Sequence, residues 1–315
     1  MAAPQPAPAP APAPDAAAPR RRISGAVWAA LAVVYVVWGS TYLGIRIVVQ
    51  TMPPFLSAGA RFLTAGLVLA GIVAWRFGPS ALRVTRAQLG STAVVGLLLV
   101  LGGNGLVVLA ETAVPSGLAA LLVASVPMWV VVLRAATGDR PPARTLAGVL
   151  VGLAGLAVLT SPGLSGEVRL WGVLLVVAGA LAWSLGSFSA GRLPMPGNAF
   201  TGSAYQMLWG GAAQALVGLA RGEQRGLDPG SFSTASWLAL GYLVLIGSVV
   251  GFTAYAWLLQ AAPLSLVATY AYVNPVVAVV LGALVLDEPV TLPIALGGAI
   301  VVAAVGVIVS TERRK

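Results

Sequence analysis

Arg46, Arg61 and Glu111 are the residues of this chain best placed to do chemistry, because each falls within or at the end of a long apolar run. An ionisable side chain inside a bilayer is expensive, so it reaches water, finds a partner or serves a function. Arg46 and Arg61 lie toward one end of their runs. A guanidinium there either receives an anionic group or snorkels to the headgroups on its aliphatic stem. Glu111 closes the third run at the same level and is the natural counter-charge for either arginine. The expectation is a charge cluster at the outer mouth of a cavity, with at least one arginine paired to Glu111, acting as a gate.

A second set is polar or aromatic. Tyr35, Trp38, Tyr42 and Arg46 recur at helical spacing and share one face of the first run. Trp183, Ser187 and Phe188 repeat the pattern in the sixth. Asn104 shares a face with Glu111 two turns later. Tyr270 and Asn274 are one turn apart, directly before Pro275, whose missing N–H frees the Ala271 carbonyl and favours an unwound turn that offers polar backbone to a ligand. The expected substrate-lining residues are Trp38, Tyr42, Asn104, Trp183, Ser187, Gln206, Phe252, Tyr255, Tyr270 and Asn274. The alternative for the aromatics is plain packing, and Gln214 reads as glue between helices. The glycine run Gly102-Gly103-Asn104-Gly105 and the small-residue pair Gly148 and Gly152 read as packing signals.

The elements that position these residues must be transmembrane helices. The chain is 58% hydrophobic and 9% charged, with mean hydropathy +0.93, against about 25% charged residues in soluble domains. A bilayer core needs roughly 20 apolar residues per helix. Ten such runs stand at 26–48, 56–76, 89–110, 113–134, 145–160, 171–190, 200–220, 236–258, 264–286 and 291–310. Met52-Pro53-Pro54, Asp139-Arg140-Pro141-Pro142 and Ser161-Pro162-Gly163 are among the loop-like breaks. Residues 1–22, Ala/Pro-rich and ending Arg20-Arg21-Arg22, read as a disordered cytoplasmic tail; 311–315 form a second cytoplasmic tail.

The chain has no cysteine and no histidine, and Lys315 is its one lysine. Those counts remove disulfides, thiolate or imidazole metal sites, His-based nucleophile systems and a Walker A loop. No catalytic residue, metal or cofactor is expected, and no nucleotide partner. The net charge of +9 is a topology signal rather than a nucleic-acid footprint. With a cytoplasmic N-terminus, the inside segments hold Arg76, Arg83, Arg86, Arg134, Arg140, Arg144, Arg192, the Arg20 triplet and the C-terminal bases, whereas the outside loops hold Arg169, Arg221 and Arg225.

The chain also reads as a duplication. Pro115 and Pro263 are 148 positions apart, as are Pro127 and Pro275, and Asp139-Arg140-Pro141 answers to Asp287-Glu288-Pro289. Five helices per copy is an odd number, so the copies at 23–161 and 170–310 are inverted relative to one another, an architecture that places substrate near the midplane between halves.

The residues Gly247-Ser248 through Gly251-Phe252-Thr253-Ala254-Tyr255, Ala262-Pro263-Leu264, Tyr270, Asn274-Pro275 and Asp287-Glu288-Pro289 resemble the second EamA repeat of the drug/metabolite transporter superfamily. Trp38-Gly39-Ser40-Thr41-Tyr42, Arg61-Phe62, Ala119, Pro127 and Gly138-Asp139-Arg140 resemble the first. The resemblance implies an all-α membrane protein of ten transmembrane helices in two inverted five-helix repeats. It also implies a central cavity lined mainly by helices one, three, four, six, eight and nine, with the fifth and tenth peripheral. Small multidrug members of the superfamily exchange protons on a glutamate of the first helix. The first run here has no acid, which speaks against that route.

The resulting expectation is a secondary transporter of the plasma membrane with both termini cytoplasmic, monomeric, with a small-molecule substrate and the lipid bilayer as partners. It exports a small amphipathic metabolite such as an amino acid by alternating access. The alternatives are an intramembrane transferase, for which paired acids at the membrane face are wanting, and a lipid flippase or membrane scaffold.

Overall fold

Ser24 accepts a hydrogen bond from the Val27 amide at 3.4 Å and so starts α1 (Gly25–Val48). Helix α2 (Pro54–Phe77) begins on a proline, whose missing N–H would have had no partner at that position. A capping box of Thr85 and Gln88 opens the continuous helix α3 (Arg86–Ala110). There follow α4 (Ser116–Ala136), α5 (Ala143–Leu164), α6 (Leu170–Ala190) and α7 (Ala199–Ala220), then α8 (Thr234–Ala261), α9 (Tyr270–Leu286) and α10 (Leu292–Glu312). A short helical turn, Leu264–Val267, precedes α9. This computed structural model describes residues 24–138, 142–164, 168–262, 264–267 and 270–312, so the Ala/Pro tail, the Asp139-Arg140-Pro141 turn, Pro263 and the C-terminal bases lie outside the described residues.

Helices α1, α2, α3, α4, α6 and α8 are long and apolar enough to cross a membrane, and Ala143–Gly155, Val273–Leu286 and Leu292–Ala304 are shorter apolar stretches. Large apolar side chains point outward: Trp75 is 84% exposed and Leu284 76%. In lipid that surface is solvated, so no hydrophobic force holds these helices together and close packing must do it.

Two sequence expectations are corrected here. Helix α5 continues through Ser161-Pro162-Gly163 to Leu164, because a proline near a helix end forfeits only one backbone bond. Helix α9 likewise stays helical through Pro275, so the unwound turn is not there.

The helices pair in a regular way. Helix α2 packs along α7, and α5 along α10; α1 packs on α8 and α9, α6 on α3 and α4; α2 also meets α8, and α7 meets α3. Both α3 and α8 widen to π-helical winding in mid-course, over Leu97–Gly105 and Leu243–Phe252. Such widening puts an extra residue into the turn and recurs at functional sites. Glycine is required in both segments because a tryptophan lies against the backbone. A Cβ on Gly103 would stand 2.6 Å from Trp183, and one on Gly251, 148 positions later, 2.7 Å from the Trp38 indole nitrogen. Gly251→Val is therefore expected to destabilise the fold by about 1–3 kcal/mol, the usual range for overpacking. A drop in the apparent melting temperature of the detergent-purified protein checks it; an unchanged melting curve would contradict this packing.

Candidate functional site

The widened turns of α3 and α8 and the tryptophans they hold surround a small central cavity of about 70 Å³, room for a few water molecules. Helix α1 contributes Trp38, Thr41, Tyr42 and Ile45; α2 contributes Arg61 and Phe62; α3 contributes Gly103, Asn104 and Val107. The opposite wall is Val123 of α4, Gly179, Ala180 and Trp183 of α6, Gly247 and Phe252 of α8, and Tyr270 and Asn274 of α9. Val123 has a backbone reason to be there. Helix α4 breaks at Ala124-Ser125, and Pro127 withholds the N–H that the Val123 carbonyl would have accepted.

A layer of aromatic rings floors this cavity. Trp38 meets Trp183 at 5.3 Å and Tyr270 at 5.4 Å, both edge-on, and Tyr255 at 4.7 Å between ring centroids. The polar tips of the rings are satisfied within the layer. The Trp38 indole donates to the Gly247 carbonyl at 3.2 Å, and the Trp183 indole to the Tyr255 hydroxyl at 3.2 Å. That hydroxyl also shares a 2.9 Å bond with Ser187. Beyond the layer lies a second, roomier space of about 250 Å³ that includes Ser187, Gln206, Tyr255, Arg192 and Gln260 in its lining. Of the ten residues expected to line the substrate site, Trp38, Tyr42, Asn104, Trp183, Phe252, Tyr270 and Asn274 line the central cavity, while Ser187, Gln206 and Tyr255 line the second. The separation follows from helical rise: Ser187 is one turn past Trp183 and so falls on the other side of the rings. Asn274, with its amide nitrogen turned to the carbonyls of Tyr35 at 3.0 Å and Tyr270 at 3.2 Å, ties α9 to α1. Gln214 donates to the Val100 carbonyl at 2.8 Å, a bond between helices.

The charged residues depart from the expected arrangement. Arg61 does not snorkel: it is 4% exposed and sits in the cavity wall. Its Nε donates to Ser248 Oγ at 2.8 Å, its guanidinium carbon lies 4.6 Å from the centroid of Phe62, and its Nη1 is buried without a hydrogen-bond partner. Arg46 reaches Glu111, but through Nη1 to the backbone carbonyl. The Glu111 carboxylate is fully buried, and neither oxygen has a hydrogen-bond partner. The expected carboxylate pairing is thus replaced by a carbonyl contact, because Glu111 caps the C-terminal end of α3, where carbonyls lack intrahelical partners and attract a cation.

Two acids that sequence reasoning passed over tie the molecule together at the face where α2 and α4 begin. Pro53 and Pro115 precede these helices and provide no side-chain cap. Carboxylates from the second half of the chain cap them instead. Glu223, in the α7–α8 connection, accepts from the Phe55 and Leu56 amides at 3.3 and 2.9 Å. Glu288 accepts from the Ser116 amide at 2.9 Å, the Ser116 hydroxyl at 2.7 Å and the Gly117 amide at 3.2 Å. Asp287, at φ +52°, makes the turn that presents Glu288, a left-handed conformation that Asp tolerates. The available signal was the absent caps: a helix starting after a proline needs acceptors from elsewhere.

A family model described as the EamA-like transporter family matches residues 23–161 and again 170–310. The chain is 39% identical over 258 residues, 81% of each chain, to the protein named "Uncharacterized inner membrane transporter YedA" of Escherichia coli (strain K12). It is 27% identical over 290 residues, 82% of this chain and 86% of the other, to the "Probable amino-acid metabolite efflux pump" of the same strain. A solved crystal structure, 22% identical, superposes with a TM-score of 0.66 over 93% of this chain and 100% of its own, a likeness of fold.

Proposed function

The chain belongs to the EamA-like transporter family, and from that premise we propose that it is a plasma-membrane exporter of small amphipathic metabolites carrying a carboxylate, amino acids foremost. One observation carries the reading: Arg61 is buried in the wall of an aromatic cavity with a guanidinium nitrogen that nothing in the protein occupies. A buried donor left unmatched is costly, and a carboxylate is the group that matches a guanidinium best. The aromatic rings suit the apolar remainder of such a cargo. The name of the E. coli efflux pump relative points the same way, and the family and relatives' names point to transport rather than to catalysis.

The transport cycle we propose is alternating access by two inverted halves, 23–161 and 170–310, with ten membrane-crossing helices. Its support is the double family match and the packing pattern. Exchanging α1 with α6, α2 with α7, α3 with α8, α4 with α9 and α5 with α10 turns each pairing described above into another of the set or into itself. In this reading the aromatic layer closes one side of the cavity, and the caps of Glu223 and Glu288, which tie the two halves of the chain together, close the other. In the cycle the two closures open in turn.

Purified protein in liposomes tests the function. Uptake of labelled phenylalanine, leucine or threonine in exchange for the same compound inside is expected, and no exchange of any of them would overturn the amino-acid reading. Orientation is tested separately: reporter fusions before Met1 and after Lys315 are expected to report cytoplasmic ends, as the arginine distribution requires. An outward C-terminus with an inward N-terminus would remove the even helix count.

A further inference from the structure

We infer that the space beyond the aromatic layer is a second binding site, one that takes a zwitterionic amino acid with its ammonium on the Gln206 amide oxygen and its carboxylate on Arg192. The inference rests on the transporter reading above, to which it adds a loading site on the face where α6 ends. Size is the first observation. The central cavity, at about 70 Å³, has room for waters only, whereas the second space measures about 250 Å³. A cavity of about 150 Å³ is enough for benzene, so in this conformation the second space accommodates a phenylalanine-sized ligand and the central one does not. Of its lining, Gly191, Arg192 and Gln260 are exposed, whereas Leu99, Gln206 and Tyr255 are buried. The space is thus a vestibule, open to water at one end and closed by the rings at the other.

Gln206 is the second observation. It is 4% exposed, yet its side-chain amide makes no hydrogen bond among the described residues, and a buried amide left unmatched is costly. The hydroxyls at this depth are already engaged. Tyr255 accepts from the Trp183 indole at 3.2 Å and shares a 2.9 Å bond with Ser187, which also donates to the Trp183 carbonyl at 2.9 Å. The Gln206 amide, with an acceptor oxygen and two N–H donors, is therefore the free polar group at the inner end. Gln206 follows Arg61 by 145 positions, the spacing that also separates Trp183 from Trp38 and the starts of α6 and α7 from those of α1 and α2. It thus holds in the second half of the chain the position that Arg61 holds in the first, and each lines the space on its own side of the rings. Charge then orients the ligand. Among the described residues no acid lines the vestibule and Arg192 is its one cation. That guanidinium is held in place: its carbon lies 3.4 Å from the centroid of Phe188, and Nη1 donates to the Phe188 carbonyl at 3.2 Å. Its remaining N–H groups suit a carboxylate. A ligand ammonium is repelled by Arg192 and meets the Gln206 oxygen instead, while the apolar side chain lies along Met195, Ala199 and Leu259.

The test is ligand protection of a cysteine in the detergent-purified full chain, which requires no transport. The chain has no cysteine. A Cβ on Gly202, which lines the vestibule, would meet nothing nearer than Pro196 at 3.7 Å, so Gly202→Cys supplies a single probe there. Phenylalanine is expected to slow its reaction with a charged, water-soluble maleimide, and to do so equally when Arg61→Ala has disabled the central site. Two analogues separate the ends of the ligand: 3-phenylpropanoate lacks the ammonium, and phenylalaninamide lacks the carboxylate charge. Both are expected to protect less well than phenylalanine. Gln206→Leu is expected to raise the half-protecting concentration of phenylalanine about tenfold or more, as befits a lost hydrogen bond to a charged group, and to erase its advantage over 3-phenylpropanoate. Arg192→Gln, at an exposed position where folding is not at stake, is expected to raise it about threefold and to erase the advantage over phenylalaninamide. No protection by phenylalanine overturns the site, as does protection that disappears with Arg61→Ala. If Gln206→Leu does not fold, equal protection by phenylalanine and 3-phenylpropanoate in Gly202→Cys itself overturns the assignment of Gln206. Phenylalanine exchange in liposomes without protection removes this site and leaves the exporter reading standing; protection without exchange supports the site and removes that reading.

Discussion

Replacing Arg61 by alanine is expected to abolish transport of carboxylate-bearing cargo while leaving the protein folded and inserted. Removing one member of a buried, hydrogen-bonded charge pair costs about 2–5 kcal/mol of binding, which is a fall of roughly thirtyfold or more in affinity. The loss has a chemical signature. An amino acid and its carboxamide, in which the carboxylate alone is made neutral, share every contact except the one to the guanidinium, so Arg61→Ala is expected to erase the preference for the acid over the amide. Arg61→Gln separates this from structural damage, because an amide can still donate to Ser248, the partner held at 2.8 Å. If Arg61→Gln discriminates between acid and amide as the wild type does, Arg61 is a packing residue and another group reads the carboxylate. Competition of each unlabelled compound against labelled phenylalanine exchange is the measurement.

The second large effect is expected at the closure formed by Glu223 and Glu288. Hydrogen bonds to charged groups contribute about 1.5–3 kcal/mol each, and these two carboxylates accept five between them across the halves of the chain. After Glu223→Ala together with Glu288→Ala, the freed amides reach water as that side opens, so much of the loss appears as a shift toward the open form. A change of about 3 kcal/mol corresponds to a hundredfold shift or more. The chain has no cysteine, so a single cysteine placed at Val107, in the cavity wall, is a unique probe. Its reaction with a membrane-impermeant maleimide from the α2 and α4 N-terminal face is expected to accelerate about a hundredfold in the double variant. An unchanged rate would mean that the carboxylates cap their helices without holding the cavity shut.

Membrane character and family membership were legible in the residues alone because they rest on quantities that add along a chain. A run of apolar residues is long enough to cross a bilayer or it is not, and punctuation such as Pro115 and Pro263 keeps its spacing whatever the side chains touch. The helical period also brought Trp38 and Tyr42 of one run to a common face, and both line the same cavity. What period could not supply is depth. A one-turn displacement moves a side chain by about 5.4 Å along the axis, enough to put Ser187 beyond the ring layer that Trp183 belongs to. Charge pairing was likewise decided by the tertiary structure. Sequence places Arg46, Arg61 and Glu111 near one level, yet whether a guanidinium meets a carboxylate, a carbonyl or a serine depends on differences of an ångström or two between separate helices. Arg46 takes the backbone carbonyl of Glu111, Arg61 takes Ser248, and the Glu111 carboxylate is left without a hydrogen bond. The caps of α2 and α4 were beyond sequence for the same reason, since Glu223 and Glu288 lie more than 160 residues from the amides they satisfy. Local propensity shows that a helix after Pro53 or Pro115 lacks a cap; only the packing of one half of the chain against the other brings the missing acceptor to it.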